Sequence, residues 1–147
     1  MAEIVGLVAS AVTLAATAEG AAQLSSVVFK VVSTFRNAPQ EMAAIANGLL
    51  QFSESLHTLA EIIDQYQTLY KPAALESIKI TMRGYKELEV DLKKLIDTDT
   101  HEKLKKLRWC MQKPKAKNLL KRIESIKQGL TLQLAILQLA KNEATRA

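Results

Sequence analysis

The sequence predicts an all-α protein: an up-down four-helix bundle with a hydrophobic N-terminal helix and a short additional helix before the last long one. Three observations predict it. Gly and Pro are scarce, at 5 and 3 of 147 residues, while Ala, Leu, Lys, Glu and Gln, strong helix formers, are abundant. Apolar residues recur at steps of three and four over long stretches, the spacing of one helix face. No stretch alternates apolar and polar residues as a half-buried strand does. The length suits one domain covering 1–147, enough to bury a core without disulfide staples.

The first segment runs from about Ala2 to Arg36, with a bend at Gly20 permitted. Between Glu3 and Glu19 it carries no charge. The second begins near Asn37-Ala38-Pro39-Gln40 and carries Met42, Ile45, Leu49, Phe52, Leu56, Leu59, Ile63, Tyr66 and Tyr70 in unbroken three-four steps. The third follows Pro72, with Leu75, Ile78, Met82, Tyr85, Leu88, Leu92 and Leu95 at the same spacing. Proline suits a helix's first turn and breaks its interior, so Pro39, Pro72 and Pro114 are read as starts. Asp99, with Glu102 three residues on, is placed to cap a short helix reaching Met111. That helix carries Leu107 and Trp109 and is expected to fold back over the bundle. The fourth long helix starts after Pro114, with a stripe of Leu119, Ile123, Ile126, Leu130, Leu134 and Leu137. Each stripe needs a partner surface, and burying one Leu or Ile contributes roughly 1.5–3 kcal/mol.

Catalytic and metal chemistry find no support in the residue pattern. His57 and His101 are far apart, with no ligands at metal-binding spacing. The five glycines are scattered singly, so no phosphate loop forms, and no Ser or Cys sits in a nucleophile context. Cys110 is the only cysteine, which excludes an internal disulfide and makes an intracellular setting the default. The expectation is a non-enzyme with no cofactor and no metal.

Two features stand out. The first is the opening helix. A secretory signal needs Lys or Arg before its apolar stretch, and only Glu3 is there. Fifteen uncharged residues rise about 22 Å, short of roughly 30 Å of hydrocarbon. On a helix, Glu3, Gly6, Ser10, Thr13, Thr17 and Gly20 form a narrow small or polar stripe, with Glu19 beside it. Ile4, Val5, Leu7, Val8, Val12 and Leu14 occupy the remaining surface. One reading makes this the central helix of the bundle, apolar nearly all round because neighbours surround it. The other makes the apolar residues a membrane-inserting face and the stripe a helix-packing or pore-lining contact, since small residues let membrane helices approach closely.

The second is a basic window. Between Lys93 and Lys127 twelve Lys or Arg meet four acids, a local net of +8 against +5 for the whole chain. Most such runs are solvated faces. The functional alternative is a surface for anionic lipid headgroups, worth about 1 kcal/mol per well-placed cation. Lys103, Lys105, Lys106, Arg108, Lys113, Lys115, Lys117, Lys121 and Arg122 are its candidates. No aromatic ladder accompanies them, so nucleic acid is not expected as a partner.

Three stretches carry a resemblance: MAEIVGLVASAVTLAATAEGAAQLS, NAPQEMAAIANGLL and LRWCMQKPKAKNLLKRIESIKQGLTLQLAILQLA. Together the chain resembles the HeLo-like N-terminal domains of fungal cell-death and NLR (STAND) signalling proteins, similar to the bundle that executes necroptosis. The resemblance implies a four-helix bundle that permeabilises membranes through its N-terminal helix once an NLR-type or amyloid-signalling partner drives it to homo-oligomerise. Residues 4–18 match that helix. It further implies a cytoplasmic resting state, the plasma membrane on activation, and heterokaryon incompatibility as a biological setting. The chain ends KNEATRA and is expected to be the front part of a longer protein. The alternative expectation is a non-lytic adaptor domain making homotypic contacts.

Overall fold

The computed structural model describes residues 2–34, 40–65, 72–96 and 102–146, and side chains for 11–33, 40–65, 76–96 and 114–143. These residues form four helices and no strand: α1 (Ala2–Thr34), α2 (Gln40–Gln65), α3 (Pro72–Ile96) and α4 (Glu102–Arg146). The fold is all-α.

The heptad-like stripes become the core. Met42, Ile45, Leu49, Phe52, Leu56, Leu59 and Ile63 of α2 are buried, as are Ile78, Met82, Tyr85, Leu88, Leu92 and Leu95 of α3. On α4, Leu119, Ile123, Leu130 and Leu137 are buried, with Ile126 and Leu134 packed at the margin. Tyr66 and Tyr70 lie outside the described residues, as does the side chain of Leu75. Pro72 opens α3 as expected, where its missing N–H costs nothing. Glu41 in the first turn of α2 and Lys93 and Lys94 in the last turn of α3 complement the helix dipoles.

Two expectations are corrected. The short helix carrying Leu107 and Trp109 is not separate: α4 is one helix of 45 residues with Pro114 inside it. Pro114 faces solvent, so the carbonyl four residues earlier can bond water instead of the missing N–H, and the helix continues. The opening helix is not central. That place belongs to α2, which packs against both α1 and α4, while α1 packs chiefly on α2. Gly20 introduces no break either, since α1 continues through it without a positive φ.

The α1–α2 contact is made by small residues. Ala11, Ala18, Ala21 and Ser25 of α1 and Ala46, Ser53 and Ala60 of α2 are buried. Ser25 Oγ donates to the Ala46 carbonyl at 2.7 Å, and Ser53 Oγ donates to the Ala18 carbonyl at 2.6 Å. Position 18 pairs with 53 and position 25 with 46, so the helices run in opposite directions. One heptad separates the bonds on each helix. A hydroxyl reaches a neighbouring helix's carbonyl only where the backbones lie close, which the alanines allow.

The α3–α4 contact is more polar. Gln133 Nε2 donates to the Ser77 carbonyl, the Ser77 hydroxyl and the Thr81 hydroxyl at 2.8–2.9 Å. Arg122 Nη1 meets Asp91 Oδ2 at 2.7 Å. Pairing 91 with 122 and 77 with 133 again requires opposite directions. Between α2 and α4, a Cβ placed on Gly48 would lie 2.6 Å from Ile123 Cγ2, so glycine is needed for this approach. Phe52 stacks on Tyr85 with centroids 4.8 Å apart, tying α2 to α3. Burial, and then the charge of Glu89 one turn on, pushes the Tyr85 phenol well above its ordinary range.

Candidate functional site

Helical geometry distributes the residues of α1 around its axis. Ala11, Leu14, Ala18, Ala21, Ser25 and Val28 recur at steps of three and four and form the buried seam. Val12 falls outside it at 66% exposure and Leu14 within it at 2%. Thr13 and Glu19 are exposed and Thr17 is half-buried, its hydroxyl donating to the Thr13 carbonyl at 2.8 Å. Gly20 is half-buried with nothing within 4 Å of a Cβ built there. In this conformation the close helix contact is therefore made one face away from the Thr13–Thr17–Gly20 stripe. Ile4, Val5, Leu7, Val8, Glu3, Gly6 and Ser10 lie on helical backbone, and their side chains are outside the described set.

The outer side of α1 retains apolar groups. Val12, Val27 and Phe29 are exposed. The stretch Ala11–Ser33, 23 residues with mean hydropathy 1.2, is long and apolar enough to cross a membrane, and 7 of its residues are buried. At 1.5 Å per residue it extends about 34 Å, against roughly 30 Å of hydrocarbon. It carries Glu19 and Lys30.

The basic window divides on α4. Lys115 and Arg122, seven residues apart, share one side of the helix, flanking the buried Ala116, Leu119 and Ile123. Lys117 and Lys121, four apart, share another side and are exposed. Arg122 is half-buried through its pairing with Asp91. Lys103, Lys105, Lys106, Arg108 and Lys113 belong to the first turns of α4, with side chains outside the described set.

Lys115 and Arg122 reach a cleft with α3. Lys94 and Asp91 of α3 complete its polar rim, together with Asn118 of α4. Leu95 and Leu119, both buried, form its apolar wall. Its volume is about 330 Å³. Sequence reasoning missed this cleft, since 91, 94 and 115 converge only through the α3–α4 register. It also missed Ser25 and Ser53, although small residues at 11, 18 and 25 and at 46, 53 and 60 were a signal. Among the described residues no group of three His, Cys, Asp or Glu could hold a metal. Compared with family models, curated proteins and solved structures, the chain finds no match in any of the three.

Proposed function

We propose that this chain is a membrane-permeabilising effector domain, an up-down four-helix bundle that releases α1 into a bilayer on oligomerisation. At rest it is cytoplasmic, and it acts at the plasma membrane. The carrying observation is the 23-residue stretch Ala11–Ser33, of membrane-spanning length with only 7 of its residues buried. Val12, Val27 and Phe29 on its outer side need no rearrangement to meet lipid. The cations at 115, 117 and 121 are exposed, and supply attraction to anionic headgroups. The resemblance to HeLo-like domains supports the same reading, and supplies clustering by an NLR-type or amyloid-signalling partner as the trigger.

One observation favours the adaptor reading. The α1–α2 seam is close-packed, with two buried hydroxyl–carbonyl bonds, a contact suited to staying shut. A disulfide lock separates the two. In a Cys110→Ser background, Ser25→Cys and Ala46→Cys join α1 to α2, and the protein is clustered through a fused oligomer. Reduced protein is expected to release dye from vesicles containing phosphatidylserine, and oxidised protein to release little. Equal release in both states removes the release of α1, and no release in either favours the adaptor. Circular dichroism checks that the variant is folded.

A further inference from the structure

We propose that the outer face of α4 docks on the same face of a second copy of this chain, antiparallel, with Leu132 on the two-fold axis. This deepens the reading above by naming a self-contact within its oligomer; the contact itself requires neither lipid nor release of α1.

Leu132, Ile136 and Leu139 recur at steps of four and three and are 63%, 51% and 64% exposed. They share the side of α4 turned away from its buried stripe of Leu119, Ile123, Leu130 and Leu137. Toward the N-terminus the same face turns small, with Ser125 exposed and Gly129 half-buried. Packing within one copy does not require Gly129. An interior glycine costs a helix up to about 1 kcal/mol relative to alanine. Yet a Cβ built there meets, among the described residues, only the Thr81 hydroxyl, at an ordinary 3.8 Å, and its φ is not positive. A second helix lying close over Gly129 supplies the reason.

Size and charge both fix the direction. Antiparallel docking about Leu132 lays Leu139 of one copy over Ser125 of the other and Ile136 beside Gly129, large on small, twice by symmetry. Lys121 stands eleven residues before Leu132 and Glu143 eleven after, both exposed, so each lysine meets the other copy's glutamate. Parallel docking would set Lys121 on Lys121 and Glu143 on Glu143, like charge on like. The pairs lie about 16 Å from the axis. They therefore form only at a shallow crossing of about 20°, the geometry of left-handed coiled coils and most bundles. One helix face of this length buries less than a standard interface, so the dimer is weak, with a Kd of about 0.1 mM, and clustering populates it.

Sedimentation equilibrium of the 147-residue chain, without lipid and up to about 1 mM, tests the contact. Monomer and dimer are expected in exchange. Leu132→Glu sets two carboxylates on the axis and should weaken dimerisation about tenfold or more; circular dichroism checks that it is folded. Val90→Glu, the same change at a 53% exposed position of α3, should stay within about twofold of the parent. Lys121→Glu and Glu143→Lys should each weaken the dimer about three- to tenfold, and Lys121→Glu/Glu143→Lys together should restore it. A chain that stays monomeric, equal losses with Leu132→Glu and Val90→Glu, or charge reversals that do not rescue one another overturn the proposal. A monomer whose flotation on phosphatidylcholine vesicles is abolished by Leu132→Glu assigns the face to lipid and overturns it too. Dye release by the fused, clustered protein is read separately. A rescued dimer without dye release leaves this contact standing and removes the membrane reading; dye release from a chain that never dimerises removes this contact alone.

Discussion

The two antiparallel pairs of this molecule are held by different chemistry. α1 lies on α2 through alanines and two buried serine hydroxyls. α3 meets α4 through Gln133, Thr81 and the Asp91–Arg122 pair, which are half-buried but for the exposed Asp91, and a cleft opens at one end. A seam of small side chains gains from backbone proximity and exclusion of water, so it tolerates no added volume. A polar, wetted seam loses little when one partner is removed, because water replaces it. The helix proposed to leave the bundle is therefore the one fitted with the smaller tolerance, and its departure requires an external driver such as clustering.

The largest expected effect comes from overfilling the tight seam. Ala18 is fully buried and accepts the Ser53 bond at its carbonyl, so Ala18→Leu should destabilise by about 3 kcal/mol in urea unfolding. A loss below about 1 kcal/mol would mean that α1 sits loosely. Gly48→Ala comes next. The new methyl meets Ile123 at 2.6 Å, and overpacking should outweigh the gain in helix propensity, for a net loss of about 1–2 kcal/mol. Gly20→Ala is its counterpart: with open space and no positive φ, it should stabilise by about 0.5–1 kcal/mol. Ser53→Ala leaves the Ala18 carbonyl without its buried donor and should cost about 1 kcal/mol. On the loose seam, Asp91→Asn should change stability by less than about 0.5 kcal/mol and show little further salt dependence.

Tyr85, between α2 and α3, adds a pH test. Its pKa is raised in the fold above the unfolded value of 10.0. Below that pH the phenol is neutral in both states and contributes no slope. Above it the unfolded chain ionises first, so stability falls with rising pH. Tyr85→Phe should flatten this alkaline limb. An unchanged slope in the variant would place its origin elsewhere, such as in the lysines.

The stripes of α2 and α3 were legible because each helix pairs an apolar face with a polar one, and burial follows the period residue by residue. The seam of α1 was not. Its helix is apolar almost all round, so hydrophobicity carries no direction there, and the direction is set by size through Ala18, Ala21 and Ser25. The stripe chosen from sequence, through Thr13 and Gly20, was also built of small groups but lies on another face. α4 was divided at Pro114 because an interior proline forfeits one hydrogen bond. Facing water relieves only the lost bond of the total, about 3 kcal/mol for an interior proline, and sequence alone does not show that the packing of α4 outweighs it. The cleft at Lys94 and Lys115 depends on how two helices align, information that no local spacing contains.

The one-heptad interval between the two serine bonds has a kinetic consequence. Displacing α1 by one turn along α2 would carry Ser25 from Ala46 toward Leu49 and Leu50, and would break the Ser53 bond in the same motion. Gradual ratcheting is thereby disfavoured against concerted detachment. Amide hydrogen exchange along residues 14–28 should then proceed as one correlated event, with neighbouring amides opening at a common rate instead of fraying inward from the end.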